Sequence, residues 1–356
     1  MKAVIICGGI GSKMWPESRQ KSPKQFLPLV GNKSLFQLNW EALRLKFKAE
    51  EIFLQTNAEQ AEIAKKQVPE ILTENVFIEP EMRNQGPATG FAAASLIKKG
   101  FGDEAFMLVQ ADVMRKPEDK FIEMIEVVGG LAETGTDYIT GGISPVNIVR
   151  GVDYLVKGEL VREEKGVKVF RVADYIDRSE EEKIKQFMGT DKLLIHANHT
   201  TMTPNNLMAM YKKYRMDWYE PLMNIVNGGD VPSEYAKMPK AGIEEVTKQV
   251  YLGGEALVAE LPFEWIDFGT WESVVNYELR TRLPDVQVKN YELKNGIEIE
   301  AKNNYVRSKK YTALIGVEDL IVVETDDALL ICKKDKTGKV GEVVDQLKAE
   351  NKVELL

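Results

Sequence analysis

Short apolar runs separated by amphipathic stretches organise the first half of the chain. The apolar runs are rich in β-branched residues and predict strands buried on both faces, at residues 3–7, 52–56, 76–79, 105–110 and 138–143. Helical periodicity lies between them and predicts helices after the capping box Ser34–Gln37, up to about Gln67, at 88–98 and at 120–131. Strands and helices that alternate at this spacing predict an α/β fold with a mostly parallel sheet.

The pattern changes after about residue 150. A mixed polar strand is predicted at 167–176, with helices at 179–188, 204–214 and 271–282. Beyond Leu283-Pro284-Asp285 the apolar runs are short and separated by turns, and they predict strands at 297–300, 305–308, 314–315, 320–324 and 328–332 before a closing helix at 340–347. We therefore expect two domains, an α/β domain at residues 1–283 and a small β-rich, β-helix-like domain at residues 284–356.

Composition and charge argue against several classes of protein. The 356 residues are 44% apolar, and the net charge of −8 leaves no excess of cations for the phosphates of a nucleic acid. Cys7 and Cys332 form no C-x-x-C pair, so a reducing cytosol is expected. No apolar run approaches the length of a membrane span and no signal peptide precedes the first strand. We expect a cytoplasmic protein without a nucleic-acid or membrane partner.

A glycine-rich turn follows the first strand directly. Gly8, Gly9 and Gly11 allow the backbone to turn with positive φ, and consecutive N–H groups in such a bend form a concavity for phosphate oxygens. Four cations follow within a few residues: Lys13, Arg19, Lys21 and Lys24. The turn is not a P-loop, because Gly11-Ser12-Lys13 leads to Trp15-Pro16, and it lacks the third glycine of the dinucleotide fingerprint. It predicts phosphate binding, with a plain tight turn as the alternative.

The surrounding segment GGIGSKMWPESRQKSPKQFLPL, residues 8–29, resembles the signature of the sugar-1-phosphate nucleotidyltransferases. It is most similar to that of the mannose-1-phosphate guanylyltransferases, GGxGTRLWPLSRxxxPKQFL, and residues 313–335 resemble their C-terminal segment. Ser12 and Lys13 depart from the Thr and Arg of the pattern. The resemblance implies a Rossmann-like nucleotidyltransferase domain. It also implies that nucleotide is bound by Gly8, Gly9, Gly11 and Ser12, and that the catalytic residues include Lys13 and Lys24.

A second segment, residues 78–89 with the sequence IEPEMRNQGPAT, resembles the family's EPxxRNTAPA, which lines the guanine pocket. The resemblance implies further nucleotide-binding residues, namely Glu79, Arg83, Asn84, Pro87 and Ala88. The alternative is an ordinary connection between a strand and a helix that has proline in its first turn.

Two aspartates match the metal ligands of the same family. Asp112 follows an apolar strand and corresponds to the Asp of the PADH motif, although Gln110 and Val113 replace Pro and His. Asp267 lies in FEWIDFGTW, which is similar to the family's GWSDVGSW. The resemblance implies that both carboxylates bind Mg²⁺ and that Asp112 is also catalytic. Without it, Asp112 could equally be a helix cap or a turn residue.

The segments expected to bind the sugar phosphate depart further from the family. Residues 175–179, 195–198 and 242–250 stand where the family has FxEKP, WNSG and SIDYAVMEK. From these positions the resemblance implies sugar-phosphate contacts by Asp177, Arg178, His196, Asn198 and Glu244. A zinc site at His196 and His199 is disfavoured, because no third ligand lies nearby at metal-binding spacing.

The sequence therefore predicts Mg²⁺-dependent transfer of GMP from GTP to a hexose 1-phosphate, with mannose 1-phosphate as the expected acceptor. Two alternatives stay open: transfer to a different sugar phosphate, and a weakly catalytic, regulatory subunit that binds nucleotide-sugar. A homodimer is one possible assembly.

Overall fold

The computed structural model describes residues 1–9, 11–29, 31–149, 151–282, 290–291, 293 and 295–356. They form two compact units that are interleaved along the sequence. The first unit contains residues 1–8 and 39–265, and the second contains residues 9–38 and 266–356. The signature segment therefore belongs to the same unit as the C-terminal region. The expected domain boundary at residues 283–284 lies outside the described residues and stays a prediction.

The first unit is built around a single large sheet. Its strands are β1 (Lys2–Ile6), β2 (Ile52–Thr56), β3 (Val76–Ile78), β4 (Phe106–Gln110), β5 (Val113–Lys116), β6 (Tyr138–Ile143), β7 (Tyr154–Glu164), β8 (Val167–Ile176), β9 (Leu193–His196), β10 (Thr201–Met202) and β11 (Ala256–Glu260). All of them except β5 form one sheet, whose order within the described residues is β11-β8-β7-β9-β6-β10-β4-β1-β2-β3.

Four neighbouring strands of this sheet, β4-β1-β2-β3, run parallel to one another. Val4 of β1 pairs with Phe53 of β2 and with Leu108 of β4, and all three side chains are buried. Strands covered on both faces need apolar residues at successive positions, which is why the apolar runs predict these strands correctly. Past β4 the sheet becomes mixed, because the short β10 is antiparallel to both β4 and β6, whereas β6 and β11 are parallel. The predicted α/β fold class is confirmed.

Helices connect these strands. They are α1 (Leu35–Arg44), α2 (Ala58–Gln67), α3 (Gln85–Lys98), α4 (Glu118–Thr134), α5 (Glu181–Phe187), α6 (Pro204–Tyr214), α7 (Met216–Val226), α8 (Val231–Ala236) and α9 (Glu244–Leu252). The capping box before α1 is formed as predicted: Ser34 N donates to Gln37 Oε1 at 3.0 Å, and Gln37 N donates to Ser34 Oγ at 3.1 Å. Helix α3 begins at Gln85, three residues before the predicted start, because the proline is accommodated inside its first turn.

The second unit combines the signature segment with strands and helices from the C-terminal region. Beyond residue 263 the structure has β12 (Glu264–Asp267), α10 (Trp271–Arg282), β13 (Asn290–Tyr291), β14 (Gly296–Ile299), β15 (Asn304–Arg307), β16 (Thr312–Ile315), β17 (Leu320–Glu324), β18 (Leu329–Lys333) and α11 (Val340–Ala349). Single turns of 3₁₀ helix lie at Ser12–Met14, Lys24–Phe26 and Val353–Leu355.

The strands of the second unit stack like the coils of a solenoid. Strand β14 pairs in parallel with β16, and β15 pairs in parallel with β17. The two ladders share the same sequence offset, since Gly296 lies beside Thr312 and Tyr305 beside Ile321. Each coil therefore presents a strand to the equivalent strand of the next coil, which agrees with the predicted β-rich, β-helix-like region.

No helix in the described part of the chain is both long enough and apolar enough to cross a membrane. The expected cytoplasmic location stays a prediction.

Candidate active site

The glycine turn of the second unit is shaped by a lysine that passes beside it. Gly9 and Gly11 both have φ of 75°, a left-handed conformation that favours glycine. A Cβ atom at Gly11 would lie 2.4 Å from Lys24 Cβ, so no larger residue fits without displacing that lysine. Gly11 also caps the 3₁₀ turn Ser12–Met14, on which Lys13 is exposed. Gly8, two residues after β1 in the first unit, has no atom within 4 Å of the equivalent position.

Lys24 and Asp267 form the polar centre of this unit. Lys24 is 5% exposed, and its ammonium nitrogen lies 3.3 Å from Asp267 Oδ1, whereas the Asp267 side chain is 47% exposed. Pro23 precedes the 3₁₀ turn that carries Lys24, and Gln25 Nε2 donates to Gly9 O at 3.5 Å. A buried cation is thereby held against a carboxylate that solvent and ligands can reach.

Arg19, the arginine among the four basic residues of the signature, donates its hydrogen bonds to other partners than this pair. Its Nε donates to Pro16 O at 2.6 Å, its second terminal nitrogen donates to Asp327 Oδ1 at 2.8 Å, and its first terminal nitrogen donates to Leu355 O. The sequence pattern groups Arg19 with the cations that face a phosphate. In the structure, however, the Arg19 guanidinium donates its hydrogen bonds to acceptors within the protein.

In the first unit, Asp112 follows the carboxyl end of β4 and lies near a buried arginine. Arg115 is 3% exposed, and its guanidinium donates to Asn39 Oδ1 at 2.6 Å, Gln110 Oε1 at 2.7 Å and His199 Nε2 at 3.2 Å. Burial lowers the pKa of Arg115 to about 9, and the negative charge of Asp112 acts in the opposite direction. The residue therefore stays charged near neutral pH and compensates the charge of Asp112 from inside the protein.

Gln110 links this cluster to two other predicted segments. Its Oε1 accepts from Arg115, its Nε2 donates to Asn198 O, and Asn198 Nδ2 donates to Gln85 Oε1 at 2.9 Å. Three sequence-predicted regions of the first unit are thus hydrogen-bonded to one another: the end of β4, the residues after β9, and the start of α3.

The segment predicted to bind the base contacts a region that the sequence pattern did not mark. Tyr235 OH donates to Glu79 Oε1 at 2.6 Å, and Arg83 donates to the carbonyl oxygen of Met238 and, at 2.8 Å, to Glu81 Oε1. Burial raises the pKa of Glu79, while the hydrogen bond from Tyr235 partly offsets that rise. The guanidinium of Arg83 is therefore bound within the protein, and the Glu79 carboxylate is held by Tyr235, Gln55 and the Arg83 backbone.

Asn84 has an unusual backbone conformation at the start of α3. Its φ of 70° and ψ of 178° lie in a region that is populated almost only by glycine and that costs about 1–3 kcal/mol for other residues. Ala88 N donates to the Asn84 carbonyl at 3.3 Å, and Pro87 and Ala88 are both buried in the first turns of the helix. A strained residue of this kind is typical of a ligand-contacting position.

Two of the predicted sugar-phosphate residues have local structural partners. Asp177 Oδ1 accepts from Ser179 N at 3.0 Å and from Ser179 Oγ at 2.6 Å, bonds that lower the pKa of Asp177. Arg178 forms a two-pronged ion pair with the buried Asp153, at 3.0 Å and 2.6 Å. The Arg178 side chain is still half exposed, so it can also meet an anion.

His196 is enclosed by aromatic and hydroxyl side chains. Its Nε2 lies 2.9 Å from Tyr251 OH and 3.1 Å from Thr140 Oγ1, and its ring packs edge-on against Tyr251. Burial lowers the pKa of His196 to about 4, although the charge of Asp153 opposes this. His196 is therefore neutral at physiological pH and cannot supply a positive charge to a phosphate. Glu244 lies in the first turn of α9, half-buried.

Comparisons with known proteins show what the chain as a whole is similar to. A family model described as "Nucleotidyl transferase" matches residues 2–147, and one described as "MannoseP isomerase/GMP-like beta-helix domain" matches residues 294–347. Mannose-1-phosphate guanylyltransferase 2 of Escherichia coli O157:H7 is 26% identical over 99% of this chain and 75% of its own length. Mannose-1-phosphate guanylyltransferase of Salmonella muenchen is also 26% identical, over 99% of this chain and 74% of its own.

This chain is similar to mannose-1-phosphate guanylyltransferases over nearly its whole length. The resemblance seen in the sequence is thereby confirmed, together with the nucleotidyltransferase class of enzyme. A crystal structure from Thermus thermophilus, described as that of a mannose-1-phosphate geranyltransferase, has the same fold, with a TM-score of 0.82 at 21% identity over 98% of this chain and 99% of that one.

The two aspartates predicted to bind a metal belong to different compact units. No cluster of three His, Cys, Asp or Glu side chains suited to a metal occurs in the described ranges. Asp112 lies in the first compact unit and Asp267 in the second, so their convergence on one ion stays a prediction. Their chemistry fits Mg²⁺, which commonly takes one or two carboxylates and completes its shell with water and phosphate oxygens.

The structure also identifies polar residues that the sequence pattern did not single out. Arg115, Asp153 and Tyr235 each hold a predicted site residue or its neighbour. A basic residue next to the apolar pair Val113-Met114 is a usable signal for Arg115, because charge inside a short apolar run implies a buried partner. Tyr235 gives no such signal, since its partner Glu79 is 156 positions away.

Proposed function

We propose that this protein transfers GMP from GTP to a hexose 1-phosphate, with mannose 1-phosphate as the expected acceptor, and releases pyrophosphate in a Mg²⁺-dependent reaction. The observation that carries the proposal is the pairing of buried Lys24 with half-exposed Asp267 beside the glycine turn, in a chain whose guanylyltransferase relatives match 99% of its length. The pair provides a fixed cation and a carboxylate at the position where the family pattern expects phosphate chemistry.

The reaction needs charge compensation more than a protein nucleophile. An oxygen of the sugar phosphate bonds to the α-phosphorus of GTP, and the bond from that phosphorus to the pyrophosphate oxygen breaks. Lys24 is well suited to stabilise the charge that develops, because its position is fixed by Gly11 and Asp267 before substrate arrives. Lys13 is exposed on the adjacent 3₁₀ turn and can approach the remaining phosphate oxygens.

Asp112 and Asp267 are the residues proposed to hold Mg²⁺. When bound there, the ion would neutralise phosphate charge and orient the reacting groups. Each carboxylate already lies near a cation of its own unit, Asp267 near Lys24 and Asp112 near Arg115, so Mg²⁺ would have to compete with that cation. Substrate phosphates and water would complete the coordination of the metal.

Base selection is assigned to the segment from Glu79 to Ala88. Guanine presents N1–H and N2–H₂ donors, for which the Glu79 carboxylate is a suitable acceptor, and Tyr235 fixes the orientation of that carboxylate. Adenine presents no donor at N1, so a pocket built for guanine would leave buried polar groups unpaired. We therefore expect GTP to be preferred over ATP, UTP and dTTP.

The acceptor is the least constrained part of the proposal. Arg178, oriented by Asp153, is proposed to contact the sugar phosphate. His196, which stands where the family pattern has asparagine, is bound by the hydroxyl groups of Tyr251 and Thr140, and this departure favours a second candidate, guanylyl transfer to a different hexose 1-phosphate. The homodimer stays a prediction.

The test is a matrix of four nucleoside triphosphates against a panel of sugar 1-phosphates, with pyrophosphate release as the readout. Highest kcat/KM for GTP with mannose 1-phosphate is expected. Equal use of GTP and UTP would remove the guanylyl assignment, and preference for another sugar would select the second candidate. Absence of transfer with every pair, together with measurable binding of GDP-mannose, would favour the regulatory alternative.

A further inference from the structure

Two residues of the signature segment bind the same backbone carbonyl near the end of the chain. Trp15, which is 7% exposed, donates from its indole Nε1 to the carbonyl oxygen of Leu355 at 2.9 Å. Arg19 donates to the same oxygen from a terminal guanidinium nitrogen. All of these residues belong to the second compact unit.

The guanidinium of Arg19 has no nitrogen left over for a ligand. Besides Leu355, it binds Pro16 O at 2.6 Å and Asp327 Oδ1 at 2.8 Å, with a longer contact of 3.5 Å to Thr325 Oγ1. The ion pair with Asp327 and a contact of 5.5 Å to the Trp15 ring hold the group in place. To contact a phosphate, Arg19 would have to break several of these bonds.

The residues next to Trp15 are held by other elements of the same unit. Trp271, at the start of α10, donates from its indole nitrogen to the Trp15 carbonyl oxygen at 2.9 Å. Gly341 of α11 packs against the 3₁₀ turn that carries Lys13, since a Cβ atom there would lie 3.6 Å from Ser12 Oγ and 3.7 Å from Lys13 Cγ. The turn is therefore bounded by α10, α11 and the Val353–Leu355 turn.

We propose that Trp15 and Arg19 are positioning residues that make no contact with nucleotide. They hold the phosphate-binding turn in place through a clamp, which consists of their two hydrogen bonds to the Leu355 carbonyl oxygen. Lys13 immediately precedes Met14 and Trp15, so a shift of the Trp15 backbone displaces Lys13 as well. A displacement of about 1 Å is enough to cost on the order of 100-fold in rate when a catalytic group must meet a transferring phosphate. The kinetic part of this inference rests on the proposed function, whereas the structural part does not.

A double-mutant cycle separates clamping from ligand contact. Trp15→Phe keeps the aromatic ring but removes the indole N–H, and deletion of residues 353–356 removes the acceptor. We expect each change to lower kcat about 10-fold or more with little change in the KM for GTP, and the combined variant to be no worse than the deletion alone. Additive losses, or a loss confined to the KM for GTP, would mean that Trp15 acts on the ligand and would overturn the inference.

Amide hydrogen exchange of the ligand-free protein gives a readout independent of activity. We expect faster exchange of residues 11–19 in Trp15→Phe, in the deletion and in Arg19→Lys, because a lysine cannot serve the three partners of the guanidinium at once. Lys302→Ala is the matched control; it removes an exposed ion pair with Glu318, at 2.8 Å, from the same unit and should change neither exchange nor kcat.

The two arms distinguish failure of this inference from failure of the proposed function. If the unmodified protein transfers no guanylyl group, the proposed function fails, and the exchange arm still tests the clamp. Unchanged exchange in Trp15→Phe and Arg19→Lys overturns the clamp whatever the activity. Should the deletion not fold, those two substitutions carry the test by themselves.

Discussion

Replacement of Lys24 by methionine should separate stability from activity. Lys24 is 5% exposed and its stem packs against Gly11, so a methionine of similar length fills the same space without the charge. The perturbation removes one ammonium group and leaves the half-exposed Asp267 able to be solvated. Lys24→Met therefore tests the cation itself, where alanine would also create a cavity.

The expected change in stability is small because two large terms oppose each other. At 3.3 Å the attraction between Lys24 and Asp267 is about 5 kcal/mol for an effective dielectric constant of about 20. Burying the ammonium costs several kcal/mol, so replacing a buried ion pair by apolar groups is often neutral or stabilising. We expect the Tm of Lys24→Met to be unchanged or raised.

The expected change in activity is large, because the charge on the transferring phosphate would lose a preorganised cation. We expect kcat/KM to fall at least 100-fold, which corresponds to about 2.7 kcal/mol of transition-state stabilisation. The assay is steady-state pyrophosphate release with GTP and mannose 1-phosphate. Lys302→Met, at an exposed lysine of the same unit, is the matched control and should stay within about threefold of the unmodified protein. A Lys24→Met variant that keeps more than a third of the activity would refute the reasoning.

Three further outcomes are expected. Asp112→Asn and Asp267→Asn should each abolish Mg²⁺-dependent turnover, as measured by Mg²⁺ titration of the rate, and either variant with an unaltered Mg²⁺ curve would remove that residue from the proposed metal site. Asn84→Gly should raise the free energy of unfolding by about 1 kcal/mol because glycine relieves the backbone strain, whereas Asn84→Ala should not raise it. Equal stability of the two variants in urea unfolding would contradict the strain argument. Both variants should lower the preference for GTP over ATP, because both lose the Asn84 side chain. The folded-state pKa of His196 is depressed to about 4, so below about pH 6.5 the unfolded chain takes up a proton that the native state does not, and this residue should lower the free energy of unfolding by roughly 1.5 kcal/mol between pH 6.5 and 5. In urea unfolding, His196→Gln should lose less stability over that pH range than the unmodified protein. An equal loss in both proteins would assign the titration to another group.

The parts of the fold that are predictable from sequence are those whose causes are local. The runs that become β1, β2 and β4 are apolar because both faces of those strands are covered. Consecutive residues must therefore all be apolar, and this is visible in the sequence. The capping box before α1 is likewise a matter of four adjacent positions. In the parts of the chain that the structure describes, these elements lie within one or two residues of their predicted bounds.

What the sequence could not supply are the contacts between distant segments. Within the second unit, Trp15 and Arg19 contact Leu355, which is more than 300 positions away. No periodicity links such residues, because their proximity results from the packing of complete elements. For the same reason the sequence pattern groups Arg19 with the phosphate-facing cations: its charge is visible in the sequence, but its direction is not.

Departures from a family pattern are of two physical kinds, and the structure distinguishes them. Gln110 replaces a proline of the metal motif, yet both ends of its amide are used, one by Arg115 and the other by the Asn198 carbonyl. Because the glutamine takes part in a hydrogen-bonded network, its presence in place of proline does not imply a loss of function. His196 stands where the sugar motif has asparagine, and its Nε2 lies within hydrogen-bond distance of the Tyr251 and Thr140 hydroxyl groups. Since Tyr251 and Thr140 engage the ring nitrogen of His196, the difference between this protein and its guanylyltransferase relatives should be sought in the choice of acceptor sugar before the handling of the nucleotide.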